Sequence, residues 1–289
     1  MKTIAIKNNI CIKNTPTDCG TKMLENFVAP YNATVVDKLT AAGLNVTRDS
    51  SELALSSCCN LMSESGSQQQ NIMLKPTRGA VSRYGLITAC PSLEEITIIG
   101  QTVDDVAELF NIVRGIDEKD STTVDGVAIG IPQEIRKGEL PNIDYAKITH
   151  DIIAAAETFS SLARFDGIKF GHRSENAATL ADLYENTRAE GFDYNTKLQI
   201  MLGGVALSRE NRRLYYDRAI RARAKITEEI NTIFENCDII VTPIDENSAV
   251  IPSLIGLPSL VLPKSIQIIG PKFSEELLLH AAKEVLCNV

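Results

Sequence analysis

Hydrophobic residues fall in two rhythms along this chain. Short runs rich in Ile and Val predict strands at Thr3–Ile6, Glu95–Ile99, Val127–Ile131, Asp238–Thr242, Ser259–Leu262 and Ser265–Ile269. Between them lie segments with helical spacing. Asn32 is placed to cap a helix with Val35, Val36 and Leu39 on one face and Gly43 as its stop. Thr102, followed by Asp104 and Asp105, opens a second helix carrying Val106, Leu109, Phe110 and Val113, and Gly115 ends it. From Tyr145 to about Asn236 the pattern is almost wholly helical, with Glu210–Asn236 expected as one long helix. Ser274-Glu275-Glu276 starts a last amphipathic helix.

Strands alternating with helices, plus one helical block, indicate an α/β layer fold around one mixed sheet. No internal repeat or linker divides the chain, so residues 1–289 are expected to form a single domain. Thr47–Asn71 is the odd segment. It is dense in serine, closes on Gln68-Gln69-Gln70 and has weak periodicity, which predicts a flexible loop.

Composition narrows the function. At 289 residues, with 29 Lys+Arg against 37 Asp+Glu, the net charge is −8. Neither a nucleic-acid backbone nor an anionic membrane rewards that balance, so neither is expected as a direct partner. No apolar run reaches the roughly eighteen residues of a membrane helix, and Met1-Lys2-Thr3-Ile4 carries no secretory pattern, so a cytoplasmic placement is expected. The seven cysteines and three histidines show no zinc spacing, which favours reduced thiols, no metal and no cofactor.

Four strings stand out: Ala5-Ile6-Lys7-Asn8-Asn9-Ile10, the run from Leu74-Lys75-Pro76-Thr77 to Arg83-Tyr84-Gly85-Leu86, Leu162–Gly167 leading into Gly171-His172-Arg173, and Arg188-Ala189-Glu190-Gly191-Phe192 followed by Ile200-Met201-Leu202-Gly203. Together they resemble the amidase signature family, and within it the A subunits of glutamyl-tRNA(Gln) amidotransferases. The resemblance implies an α/β/α sandwich around one mixed sheet and a Ser–Ser–Lys mechanism. In it a desolvated lysine acts through a second serine on a nucleophilic serine, whose Gly-rich loop forms the oxyanion hole. It implies glutamine or another small amide as substrate, and the B and C subunits of an amidotransferase as partners.

On that resemblance Lys7 stands at the base position, with Asn8 where an Asp is usual, and is expected to be largely buried. The family's G-G-S-S-G-G-S string, source of the relay serine, has no counterpart. Its S-D-T-G-G-S-I-R-Q string survives in altered form as Ser63–Gln70, which puts Ser67 at the nucleophile position with one glycine missing. Arg188 falls where an arginine holds the substrate carboxylate; a helix-end arginine paired with Glu190 or Asp193 is the alternative. Shortening after Gly138 and around Asp245–Ile251 adds to the picture of internal deletions. The expected function is that of an amidotransferase-type amidase with impaired catalysis. A non-catalytic, folded interaction module is the alternative.

Overall fold

The computed structural model describes residues 2–49, 51–58, 71–126 and 128–287. Nine strands form one mixed sheet: β1 (Thr3–Ile6), β2 (Asn45–Thr47), β3 (Leu53–Cys58), β4 (Ile72–Lys75), β5 (Glu95–Gly100), β6 (Lys137–Gly138), β7 (Ile239–Pro243), β8 (Ser259–Leu262) and β9 (Ile266–Ile269). Their order is β2-β1-β3-β5-β4-β8-β9-β7-β6. The β1–β2, β1–β3 and β6–β7 pairs are parallel, and the others antiparallel.

Helices cover both faces. On one side α1 (Thr34–Ala41), α2 (Val103–Val113) and α8 (Glu275–Cys287) close over Ile4, Leu55, Leu74, Ile98 and Leu260. On the other, α3 (Ala146–Leu162), α6 (Tyr216–Phe234) and α7 (Ile251–Ile255) pack with Ile240 and Ile269. Between α3 and α6 in sequence come α4 (Leu180–Gly191) and α5 (Tyr194–Leu207). The expected α/β/α arrangement around one mixed sheet is therefore the observed one.

Local chemistry explains the boundaries. The Thr102 side chain accepts from Asp105 N at 3.1 Å and starts α2, whose apolar stripe Val106, Leu109, Phe110 and Val113 is buried. Asn32 sits one residue before the α1 cap, Ala33; its side chain accepts from Lys13 N and donates to Asp37. The expected long helix from Glu210 begins only at Tyr216. The Ser208 carbonyl accepts from both Asn211 and Arg212, and so holds a separate turn ahead of α6. Of the expected strand Val127–Ile131, the described residues 128–131 form none: they lack ladder partners, and Ile129 and Ile131 are exposed, while Val127 lies outside the described residues. Nor is 47–71 one loop. Its Leu53–Cys58 portion is β3, pairing with both β1 and β5, while residues 59–70 lie outside the described residues.

Candidate active site

Where β1 ends, the chain turns through Lys7, Asn8 and Asn9. Lys7 N donates to Leu55 O of β3 at 3.1 Å, and the Lys7 carbonyl accepts from Ile10 N. Arg48, just past β2, clamps this turn. Its guanidinium donates to the carbonyls of Ile6, Lys7 and Ile10 and to Thr17 Oγ1. Burial pushes the Arg48 pKa down, opposed by Cys11, Cys19 and Asp18. Nothing about its position in the sequence singled Arg48 out.

Lys7 itself is exposed, against the expectation of burial. Ile6 and Ile10 on either side are buried, but the chain leaves the sheet at Lys7, so its apolar neighbours do not enclose it. Among the described residues the core takes in a different lysine. Lys75, at the end of β4, is fully buried at 0% exposure.

Lys75 belongs to a polar layer on the sheet face opposite Leu74. The strand registers set Ser56 beside Thr97, and Lys75 beside Ser259; Leu74 opposite Ile98 brings Lys75 next to Thr97. All four are buried. Glu95, two residues before Thr97 on β5, forms an ion pair with Arg78 at 2.9 Å. Burial pushes the Glu95 carboxyl above the usual carboxylate range, opposed by Lys75, Arg78 and Arg83. Thr97 Oγ1, Ser253 Oγ, Ser259 Oγ and both side-chain polar atoms of Gln267 are buried without a hydrogen-bond partner among the described residues. The sequence signal was a lysine closing an otherwise apolar strand, Ile72-Met73-Leu74-Lys75.

Beside the Lys7 turn lies a cavity of about 530 Å³, lined among others by Cys19, Thr88, Thr158, Phe165, Phe192 and Gln199. The Asn8 carbonyl accepts from Cys19 N, and the Asn9 carbonyl from Ile87 N, so the turn abuts the cavity wall. Asn9 Nδ2 also donates to the Ser57 carbonyl near the end of β3. Burial, with Cys11, Asp18 and Glu94 adding to it, pushes the Cys19 thiol up to about 12, so it stays protonated and is no nucleophile.

Arg188 stands behind this cavity and is not one of its lining residues. Its Nη1 donates to the carbonyls of Leu162 and Phe165 at 2.9 and 3.0 Å, and its guanidinium lies 5.2 Å from the Phe192 ring centroid. Desolvation lowers its pKa, with Asp166 opposing. Neither expected acidic neighbour takes it: Glu190 accepts from Ser174 Oγ and meets His172 Nε2, while Asp193 caps α5 through Thr196 N. Lys7 and Arg188 thus flank one cavity through intermediaries rather than converging inside it. Ser67 lies outside the described residues. Among those residues no group of three or more His, Cys, Asp or Glu is placed to hold a metal. No helix among them is long and apolar enough to cross a membrane.

The amidase family model matches residues 3–54, 70–133 and 128–254, most of the chain. This chain belongs to the amidase family. It is 31% identical to the A subunit of glutamyl-tRNA(Gln) amidotransferase from Sulfurihydrogenibium sp. (strain YO3AOP1), covering 96% of this chain and 81% of that one. With the corresponding protein of Halobacterium salinarum it is 29% identical, covering 98% and 94%. The first alignment spans 395 positions although this family member has 289 residues, so more than a hundred of its positions have no counterpart here. In fold it is similar to the crystal structure of the Thermotoga maritima counterpart (TM-score 0.70, 23% identity, 96% of this chain and 81% of that one). It is also similar to the structure of a vestigial protein complex bearing on the origins of an s-triazine catabolic enzyme (TM-score 0.78, 17% identity, 99% and 84%). The family match breaks over residues 55–69, the stretch that holds Ser67.

Proposed function

We propose that this chain is an amidotransferase-A-like amidase with impaired glutamine hydrolysis, acting in the cytoplasm as one unit alongside the B and C subunits of an amidotransferase. The names of its relatives support inherited amide chemistry. One observation carries the impairment: Lys7, at the inherited base position, is exposed. A lysine serves as a base when burial strips water from its ammonium and so favours the neutral amine. The break in the family match over residues 55–69 adds to this, because a relay serine and oxyanion loop would have to come from that stretch. In this reading glutamine or a similar small amide enters the 530 Å³ cavity without a cofactor. Ser67 is the residual nucleophile, and Arg188 orients the substrate through the Phe165–Phe192 wall.

A glutaminase assay with and without the B and C subunits tests the proposal. Ammonia release should be low and survive Lys7→Ala, since members of such a constellation act as a unit. Robust release abolished by both Lys7→Ala and Ser67→Ala would overturn it.

The second reading is a non-catalytic interaction module. It is favoured by the row of large apolar residues that α5 exposes.

A further inference from the structure

Helix α5 packs on α3 through small residues. A Cβ at Gly203 would lie 2.0 Å from the Ala155 carbonyl oxygen, so only glycine permits that approach, and Ala206 is buried nearby. Seating that face inward turns the opposite one outward. Leu198, Met201, Leu202 and Val205 are 41%, 69%, 49% and 53% exposed. Their i, i+3, i+4, i+7 spacing is that of a helix face built to be covered. Leu202 and Val205 continue into a groove of about 790 Å³ that Ile148, Leu214 and Tyr215 also line. An apolar patch of this kind on a protein surface marks an interaction site.

Charge selects the occupant. Arg218 lines the groove, and the exposed Arg213 and Arg221 adjoin it on the same stretch of chain, although the whole protein carries −8. The acidic residue of the lining, Asp151, is already engaged by Lys147 and by His150. A second copy packed groove to groove by a two-fold axis would set these arginines against themselves, because such an interface uses the same patch twice. A helix with an apolar stripe and acidic flanks meets both the stripe and the arginines.

We propose that this groove docks an amphipathic helix of a partner protein, apolar on one face and acidic along its flanks. The inference rests on the interaction reading given above. Gln199 lines both the groove and the 530 Å³ cavity, so the docked helix lies one side chain away from the candidate active site.

The test uses the full chain and a fluorescein-labelled synthetic helix with a leucine stripe and glutamate flanks, followed by anisotropy. It should bind, and Met201→Glu and Arg218→Glu should each weaken binding about tenfold or more. Should Met201→Glu lose its fold by circular dichroism, Val205→Gln is the substitute. A lysine-flanked version of the helix binding equally well would overturn the proposal, as would binding untouched by either substitution. Self-association of the chain that Met201→Glu abolishes would also overturn it, since the groove would then serve a second copy. If neither peptide binds while Met201→Glu still co-elutes with the B and C subunits, the groove assignment falls and the interaction reading stands.

Discussion

The two faces of the central strands are made of unlike material. Leu55, Leu74, Ile98 and Leu260 point to one side and close under α1, α2 and α8. Ser56, Lys75, Thr97 and Ser259 cross the same strands on the other side, with Glu95 and Arg78 beside them. Both faces are buried. Apolar burial is non-directional and survives a shortened chain, because any well-packed neighbour serves. Polar burial needs a named partner for each atom, and Thr97 Oγ1 and Ser259 Oγ, on the second face, lack one among the described residues. A family member that lacks more than a hundred positions of its relatives can therefore keep its fold on the first face while the second bears the cost.

Adjacent residues give the sharpest contrast. Leu74→Ala should lose about 2–5 kcal/mol in urea unfolding. Lys75→Met, one residue on, keeps the Arg78–Glu95 pair and fills the space with an apolar side chain of similar length. Its loss should therefore be smaller than that of Leu74→Ala and should come from the Lys75 charge that offsets Glu95. Equal losses at both positions would break the contrast. A smaller effect of opposite sign is expected at β5. Thr97→Val removes a hydroxyl with no partner among the described residues and should gain about 1 kcal/mol. Ile98→Val beside it should cost about 0.5–1.5 kcal/mol by the same measurement.

The least effect is a pH dependence. Burial, working against Lys75, Arg78 and Arg83, holds the Glu95 carboxyl above its unfolded range. The folded chain then binds a proton at pH values where the unfolded chain has released it. Stability from this group declines as pH rises above the ordinary carboxylate range. In Glu95→Gln that component should vanish, which parallel melts across the acid range would show. A wild-type curve parallel to that of Glu95→Gln would mean that the carboxyl is not perturbed by its face.

Much of the first face was legible in the sequence. The Ile-rich runs at Thr3–Ile6, Glu95–Ile99 and Ser259–Leu262, and the Thr102 cap, report local preferences that tertiary packing left intact. The second face was not. Leu53-Ala54-Leu55-Ser56-Ser57-Cys58 looks like part of a serine-rich loop because its inward polar residues break the apolar signal, yet it sits between β1 and β5. The run Val127–Ile131 had strand composition, but no ladder partner lies beside residues 128–131. For the site, the sequence located the Lys7 turn. Its exposure was hidden because enclosure depends on segments remote in the chain. The string around Arg188 likewise said nothing of the two carbonyls that occupy its Nη1.

The place of β4 in the sheet has a consequence for synthesis. One of its edges pairs with β5 soon after both are made, but the other waits for β8. At a ribosomal rate of about 5–20 residues per second, the roughly 180 residues between Lys75 and its register partner Ser259 take on the order of ten to forty seconds to emerge. Throughout that interval the nascent chain carries an open, largely apolar strand edge, the kind of template that recruits other chains. Yield of soluble protein should therefore depend on translation speed and on chaperone supply, and growth at lower temperature, where hydrophobic association weakens, should favour it.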